Sequence, residues 1–202
     1  MIKTIIFDFG DVFVNLDKAA TKKEMEALKV SEFPEVILEK NLEYEKGLIS
    51  SDEFIGFYRE EFPHLESEQI VNSWNAILID FPEYRYQFIK KLSEEKDYHL
   101  ILLSNTNEIH IDWIKKNVPF FEDFKKCFDA FYLSHEINFR KPNANIYEFV
   151  LETHELQPQE CLFIDDTKEN TEAAAQLGLH TWNIEPTRED VIDLFTAKKE
   201  LF

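Results

Sequence analysis

The chain has 202 residues, enough for one core domain plus an insertion and too few for a long repeat array. Hydrophobic residues make up 44% and include 19 Phe, 7 Tyr and 3 Trp, which supplies a packed core and excludes disorder over most of the length. A formal charge of −18, from 22 basic and 40 acidic side chains, has the wrong sign for holding nucleic acid or an anionic membrane surface, so neither is expected as a partner.

The opening run Ile2-Lys3-Thr4-Ile5-Ile6-Phe7 is too short and too early for a signal peptide, and no apolar stretch approaches the ~18 residues of a membrane span. A soluble, cytoplasmic protein is the expectation. Ile5-Ile6-Phe7 is the first of several short apolar runs of the kind that form buried strands. The others are residues 100–103, 128–133, 161–164 and 180–184. Helical patterns over 145–156 and 170–177 fall between the later runs, the second closed by Gly178 as a C-cap. Strands alternating with helices predict an α/β fold built on a Rossmann-like parallel sheet.

The long stretch between the first two runs carries helical spacing instead. Ala20, Met25 and Leu28 make one set; Phe54, Phe57, Tyr58 and Phe62 a second; Ile70, Trp74, Ile77 and Leu78 a third; Tyr84, Phe88 and Leu92 a fourth. Gly47 reads as a turn, and Ser50-Ser51-Asp52-Glu53 as a capped helix start. The pattern predicts an all-helical cap domain, residues 16–82, inserted into an α/β core of residues 1–15 and 83–202. Phe54, Phe57, Tyr58 and Trp74 are expected inside the cap. Cys127 and Cys161, with no CxxC spacing, are expected as reduced, buried thiols.

The polar residues at the strand ends carry the chemistry. Asp8 follows the first strand, Ser104-Asn105-Thr106-Asn107 the second, and Asp165-Asp166 the fourth; Arg140-Lys141-Pro142-Asn143 comes after the third. All face the carboxyl edge of a parallel sheet, where ligands bind. Taken singly, each has an ordinary structural reading as a cap, a turn or a solvated lysine. Their joint order at strand ends is what points to a site. Three carboxylates (Asp8, Asp165, Asp166) against the Lys141 ammonium leave −2, a balance that one Mg²⁺ with its retained waters would neutralise. A substrate phosphate could then meet the metal, Lys141, the Ser104 hydroxyl and free N–H groups of a helix starting near Asn105, with Asp8 as nucleophile. His110 and Trp113 share a helix face that is expected to be packed more than to line the site. The six His lack ligand spacing, and neither GxGxxG nor a Walker loop is present.

The ordered set Ile6-Phe7-Asp8-Phe9-Gly10-Asp11-Val12, Leu102-Leu103-Ser104-Asn105-Thr106-Asn107, Arg140-Lys141-Pro142 and Phe163-Ile164-Asp165-Asp166-Thr167-Lys168-Glu169-Asn170 resembles the four motifs of the haloacid dehalogenase-like hydrolases. The resemblance extends over nearly the whole chain. It implies that Asp8 forms an aspartyl-phosphate, that Ser104, Asn105 and Lys141 hold the phosphate, and that Mg²⁺ is bound by Asp8, the Gly10 carbonyl and, directly, Asp166, with Asp165 nearby or binding through water. It further implies a mobile helical cap that selects a small phosphorylated metabolite, such as a sugar phosphate. The pattern departs at Gly10, where phosphatases of the family usually carry a second Asp as general acid and base; Asp11, one residue on, is the candidate substitute. Similarity to sugar-1-phosphate phosphatases with an Asp-x-Gly first motif implies a good leaving group. Two other readings stay open: a metal-independent 2-haloacid dehalogenase, and a catalytically silent member that only binds.

Overall fold

The computed structural model describes residues 1–202. Its strands are β1 (Thr4–Phe7), β2 (Asn15–Leu16), β3 (Leu78–Asp80), β4 (His99–Ser104), β5 (Ala130–Leu133), β6 (Cys161–Asp165) and β7 (His180–Asn183). Five of them form one parallel sheet in the order β5-β4-β1-β6-β7, the architecture expected from the five apolar runs. Every residue of β1 and β6 is buried, which is why these strands read as continuous apolar runs. Ile5, Phe7, Leu100, Leu102, Leu162 and Ile164 face one hydrophobic cluster, while Ile6, Ile101, Leu103, Cys161 and Phe163 face another. The alternation is the period-2 geometry of a strand covered on both faces.

The helices are α1 (Ala20–Ala27), α2 (Glu35–Glu45), α3 (Ser51–Glu61), α4 (Ser67–Asn75), α5 (Glu83–Glu95), α6 (Glu108–Asn117), α7 (Phe121–Lys125), α8 (Ser134–Ile137), α9 (Ala144–Thr153), α10 (Lys168–Gln176) and α11 (Leu194–Ala197). Helices α5 to α7 contribute to the first cluster, α9 and α10 to the second. Gly178, at φ +91°, follows the end of α10 in the left-handed conformation that suits glycine. Cys127 and Cys161 are free and buried.

Helices α1 to α4 lie between β2 and β3 and have their own apolar cluster, which includes Phe54, Tyr58 and Trp74, with Phe57 packed against it. Ser50 caps α3 through a complete capping box with Glu53, as the sequence predicts. The all-helical expectation for residues 16–82 needs one correction. Leu16 and Leu78 belong to a two-stranded antiparallel ribbon, β2 with β3, that joins the insert to the core. Helix α4 ends at Asn75, so Ile77 and Leu78 do not continue its face. A three-residue apolar run cannot be assigned to helix or strand by periodicity alone; pairing with Asn15 and Leu16 decides it.

The insert is fastened to the core at a second place, the turn after α2. Ser134 Oγ donates to the Glu45 carbonyl at 2.6 Å, Asn138 Nδ2 to the Lys46 carbonyl at 2.7 Å, and Arg140 Nε to Glu45 Oε2 at 2.5 Å. Gly47 sits at φ +64°, and a Cβ there would lie 1.9 Å from the His135 carbonyl oxygen, so backbone meets backbone and no side chain fits. Tyr44 Oη accepts from the Ile109 N–H at 3.1 Å, and Ser51 Oγ donates to Glu108 Oε2 at 2.5 Å.

Candidate active site

The strand register sets the site. Phe7 is aligned with Leu102 of β4 and with Ile164 of β6, so the next residues, Asp8, Leu103 and Asp165, emerge side by side at the carboxyl edge. The Asp8 N–H continues the ladder onto the Ile164 carbonyl at 2.8 Å. Ligand atoms of Asp8, Asp165 and Asp166 all lie within 4.8 Å of one another. Residues 8, 104, 141, 165 and 166, from four separate segments of the chain, are thereby brought to one rim.

Lys141 is the hub. It is wholly buried, and its ammonium donates to Asp8 Oδ1 at 2.8 Å, Asp165 Oδ2 at 2.6 Å and the Leu103 carbonyl at 2.8 Å. All three donors are therefore used within the protein, whereas the sequence reading had the ammonium facing a phosphate. A buried ammonium survives only with such compensation, and the two carboxylates hold its pKa above the ordinary value against the opposing effect of burial. Asp165 is equally enclosed. Besides Lys141 it accepts from the Thr167 N–H at 2.8 Å and from Asn170 Nδ2 at 3.1 and 3.0 Å, so its carboxylate is held from every side. Asn170 was part of the motif but had no assigned role; its position five residues after Asp165, in the first turn of α10, was the available signal.

Asp8 and Asp166 face the opening instead, along with Gly10, Lys18 and Arg140, around a cleft of about 330 Å³. Burial pushes the Asp8 carboxyl up to about 7; Lys141 opposes this, and the neighbouring Asp165 and Asp166 charges add to it. Burial likewise raises Asp166, opposed by Lys18. Lys18, which the sequence did not single out, forms ion pairs with Asp166 and, at 3.2 Å, with Asp11 Oδ2. Asp8, Asp11, Asp165 and Asp166 against Lys18 and Lys141 still leave −2. Two carboxylates at the opening, an all-oxygen donor set and an uncompensated double charge fit a hard divalent cation with retained waters.

Ser104 is buried and lines a second cavity, which also opens at Gly10; its hydroxyl has only a long 3.5 Å interaction with the Asn105 carbonyl, so it is free for a ligand. Asn105, expected to bind phosphate, has both ends of its side-chain amide engaged by the Lys141 backbone, at 2.9 Å (Nδ2 to O) and 3.0 Å (N to Oδ1). It braces the Lys141 loop. The expected helix near Asn105 starts later, at Glu108 with Asn107 as its N-cap, because the Asn107 side chain captures the His110 N–H at 3.0 Å.

At position 10 a Cβ would stand 2.8 Å from Leu16 Cδ1, so Leu16 of β2 occupies the space into which a side chain there would grow. Asp11, in the left-handed conformation at φ 54°, turns its carboxylate away to accept from the Leu16 N–H at 3.0 Å and from Lys18. Asp11 thus holds the insert's first residues and lines neither cavity that contains Gly10. His110 does line one, but Trp113 packs against the main core.

Such an edge, carrying a Ser, an Asp and an acidic pair on neighbouring strand ends of a parallel sheet, with a buried Lys from the loop after α8 and a helical insert, defines a hydrolase class. The profile of haloacid dehalogenase-like hydrolases matches residues 2–178, and the chain belongs to that family. A D-ribitol-5-phosphate phosphatase of Bacteroides thetaiotaomicron is 30% identical over 201 residues, spanning 92% of this chain and 93% of that protein. A haloacid dehalogenase-family enzyme from the same organism, crystallised with magnesium and inorganic phosphate, is 35% identical, covers 96% of this chain and all of its own, and superimposes with a TM-score of 0.82. An L-2-haloacid dehalogenase from Xanthobacter autotrophicus shares the fold at a TM-score of 0.57 with 18% identity, covering 90% of this chain and 76% of that one. No helix is long and apolar enough to cross a membrane.

Proposed function

We propose that this chain is a magnesium-dependent phosphomonoesterase of small phosphorylated metabolites, working through an aspartyl-phosphate on Asp8. The observation that carries the reading is the convergence of Asp8, Asp165 and Asp166 within 4.8 Å, with Lys141 bridging the first two. The similarity to a ribitol-phosphate phosphatase and to a relative that binds magnesium and phosphate supports it. Asp8, Asp166 and the Gly10 carbonyl would hold Mg²⁺, with Asp165 behind them fixing Lys141. When bound, the ion supplies positive charge that keeps Asp8 ionised and offsets the charge of the phosphoryl group.

Asp8 then attacks phosphorus in line, the bond to the leaving oxygen breaks, and the alcohol departs as its oxygen takes a proton from solvent water. The Ser104 hydroxyl donates to a phosphoryl oxygen. Lys141 balances the charge on Asp8 throughout, so attack from a buried carboxylate costs little reorganisation. Water next attacks phosphorus and restores the Asp8 carboxylate. Gly10 offers no acid for either step, a loss on the order of 10² to 10⁴ in rate where the leaving group is poor. The cap, residues 16–82 as read from the sequence, excludes bulk water while the intermediate exists.

Purified protein given an aryl phosphate should release phosphate with Mg²⁺, and chelation with EDTA should stop it. A panel of sugar and alditol phosphates then ranks substrates. Chloride release from a 2-haloacid without metal would establish the dehalogenase reading instead. Mg²⁺ binding without turnover of any phosphate ester would establish the silent one.

A further inference from the structure

A second, more enclosed cavity of about 140 Å³ opens from Gly10, Ser104 and Asn105 and runs between the core and the insert. A phosphate ester held at Ser104 has room to project its leaving group into it. Leu16, Val14, Ile77, Leu78 and Ile114 make much of its wall apolar. By volume it holds roughly five waters at ~30 Å³ each, room for a short carbon chain and too little for a nucleoside.

Its polar lining can be reduced by asking which groups are already satisfied. Asn105 is tied to the Lys141 backbone. Asn107 caps α6 through His110 N and pairs with His110 Nδ1 at 3.2 Å; His110 Nε2 lies 3.0 Å from the Trp74 carbonyl. His110 has both ring nitrogens engaged, and Asn107 keeps one amide N–H, a donor and not an acceptor. Glu45 differs. It lines the cavity from the insert, and Arg140 engages only its Oε2, at 2.5 Å, so Oε1 has no partner in the protein. The Thr106 hydroxyl, also on the wall, is likewise unpaired within the chain.

A carboxylate fixed by an arginine on the wall of a small and largely apolar chamber accepts hydrogen bonds from neutral donors and repels anions. We infer that Glu45, positioned by Arg140, is the specificity-determining residue of this cavity, and that it selects phosphate esters of short neutral polyols by accepting a hydroxyl proton donor. The inference rests on the phosphatase reading above and adds the class of leaving group and the residue that reads it. Arg140 acts through Glu45 and so is a positioning residue. Because Glu45 is carried on α2, its carboxylate enters the chamber only while the turn after α2 is docked on Ser134 and Asn138.

The test compares a pentitol 5-phosphate with pentyl phosphate, which has the same chain length and no hydroxyls, using the full-length protein with Mg²⁺. The wild type should prefer the polyol ester in kcat/KM, and Glu45→Gln should reduce that preference about 10- to 100-fold, chiefly through KM. A carboxylate-bearing ester such as phosphoglycerate, poorly used by the wild type, should improve in Glu45→Gln relative to pentyl phosphate. Arg140→Gln should reduce the polyol preference, and Arg140→Lys should restore part of it, which a purely structural role would not produce. Equal use of pentyl and pentitol phosphates by the wild type, or an unchanged preference in Glu45→Gln, overturns the inference while aryl phosphate hydrolysis still upholds the phosphatase. Failure to hydrolyse any ester overturns the phosphatase reading itself.

Discussion

The two walls of the candidate site are built differently. On the core side the central charges answer one another: Lys141 and Asp165 are wholly buried, and their donors and acceptors are matched within the protein. On the insert side Lys18 is exposed, Glu45 keeps one oxygen free, and the attachment consists of a short ribbon, hydrogen bonds at the turn after α2, and contacts with α6 through Glu108, Ile109 and His110. A buried charge network tolerates no loosening, because each unpaired ion would carry its full desolvation penalty. An attachment made of separate bonds over a partly exposed seam can open at modest cost. The arrangement suits fixed chemistry on one side and adjustable selection on the other.

The largest expected effect breaks the core side alone. Asp8→Asn should lower phosphate release at least 10³-fold with the fold intact by circular dichroism, since the amide cannot serve as nucleophile. Residual activity within tenfold of the wild type would place the nucleophile elsewhere. Next, Lys141→Met should destabilise the chain by about 3–5 kcal/mol in urea unfolding without metal, because Asp8 and Asp165 lose their shared counter-charge. Added Mg²⁺ should recover part of that loss; no loss would show that the network is not under electrostatic tension.

Acid should act on the seam. Burial lowers His110 from 6.5 to about 4, so the unfolded chain takes up this proton first as pH falls. The stabilisation from a neutral His110 is complete above pH 6.5 and is lost progressively down to about pH 4. Wild type and His110→Gln, compared by urea unfolding at pH 7.5 and 4.5, should therefore differ in their pH response by about 1–3 kcal/mol. Parallel responses would mean that His110 titrates freely. The smallest effect sharpens the contrast. Gly47→Ala should cost about 1–2 kcal/mol and raise hydrogen exchange in the α2–α3 turn while leaving the sheet protected, since its Cβ collides with the His135 carbonyl.

Much of the core could be read from sequence for a definite physical reason. A strand buried on both faces must be apolar throughout, so Ile5-Ile6-Phe7 and Cys161-Leu162-Phe163-Ile164 stand out from their surroundings. The polar residues at the ends of buried strands, Asp8, Ser104, Asp165 and Asp166, are conspicuous for the same reason. The insert was legible as helix where a whole face repeats, as in α3, and illegible at β3, where three residues hold no period. Glu45 and Lys18 left no trace, being two acidic or basic residues among the 62 charged side chains of the chain.

The amino-acid sequence by itself determined the parallel α/β core, the helical insertion and the membership of the strand-end cluster, since apolar periodicity and strand-end polarity are local properties. Only the tertiary structure decided which of those residues are enclosed and which face a ligand. Lys141 turned inward to Asp8 and Asp165, Asn105 became a brace, Leu16 filled the space above Gly10, and Glu45 was delivered from another part of the chain. Those outcomes depend on burial and on partners far apart in sequence, and hydrogen-bond capacity is settled only when the competing groups are side by side.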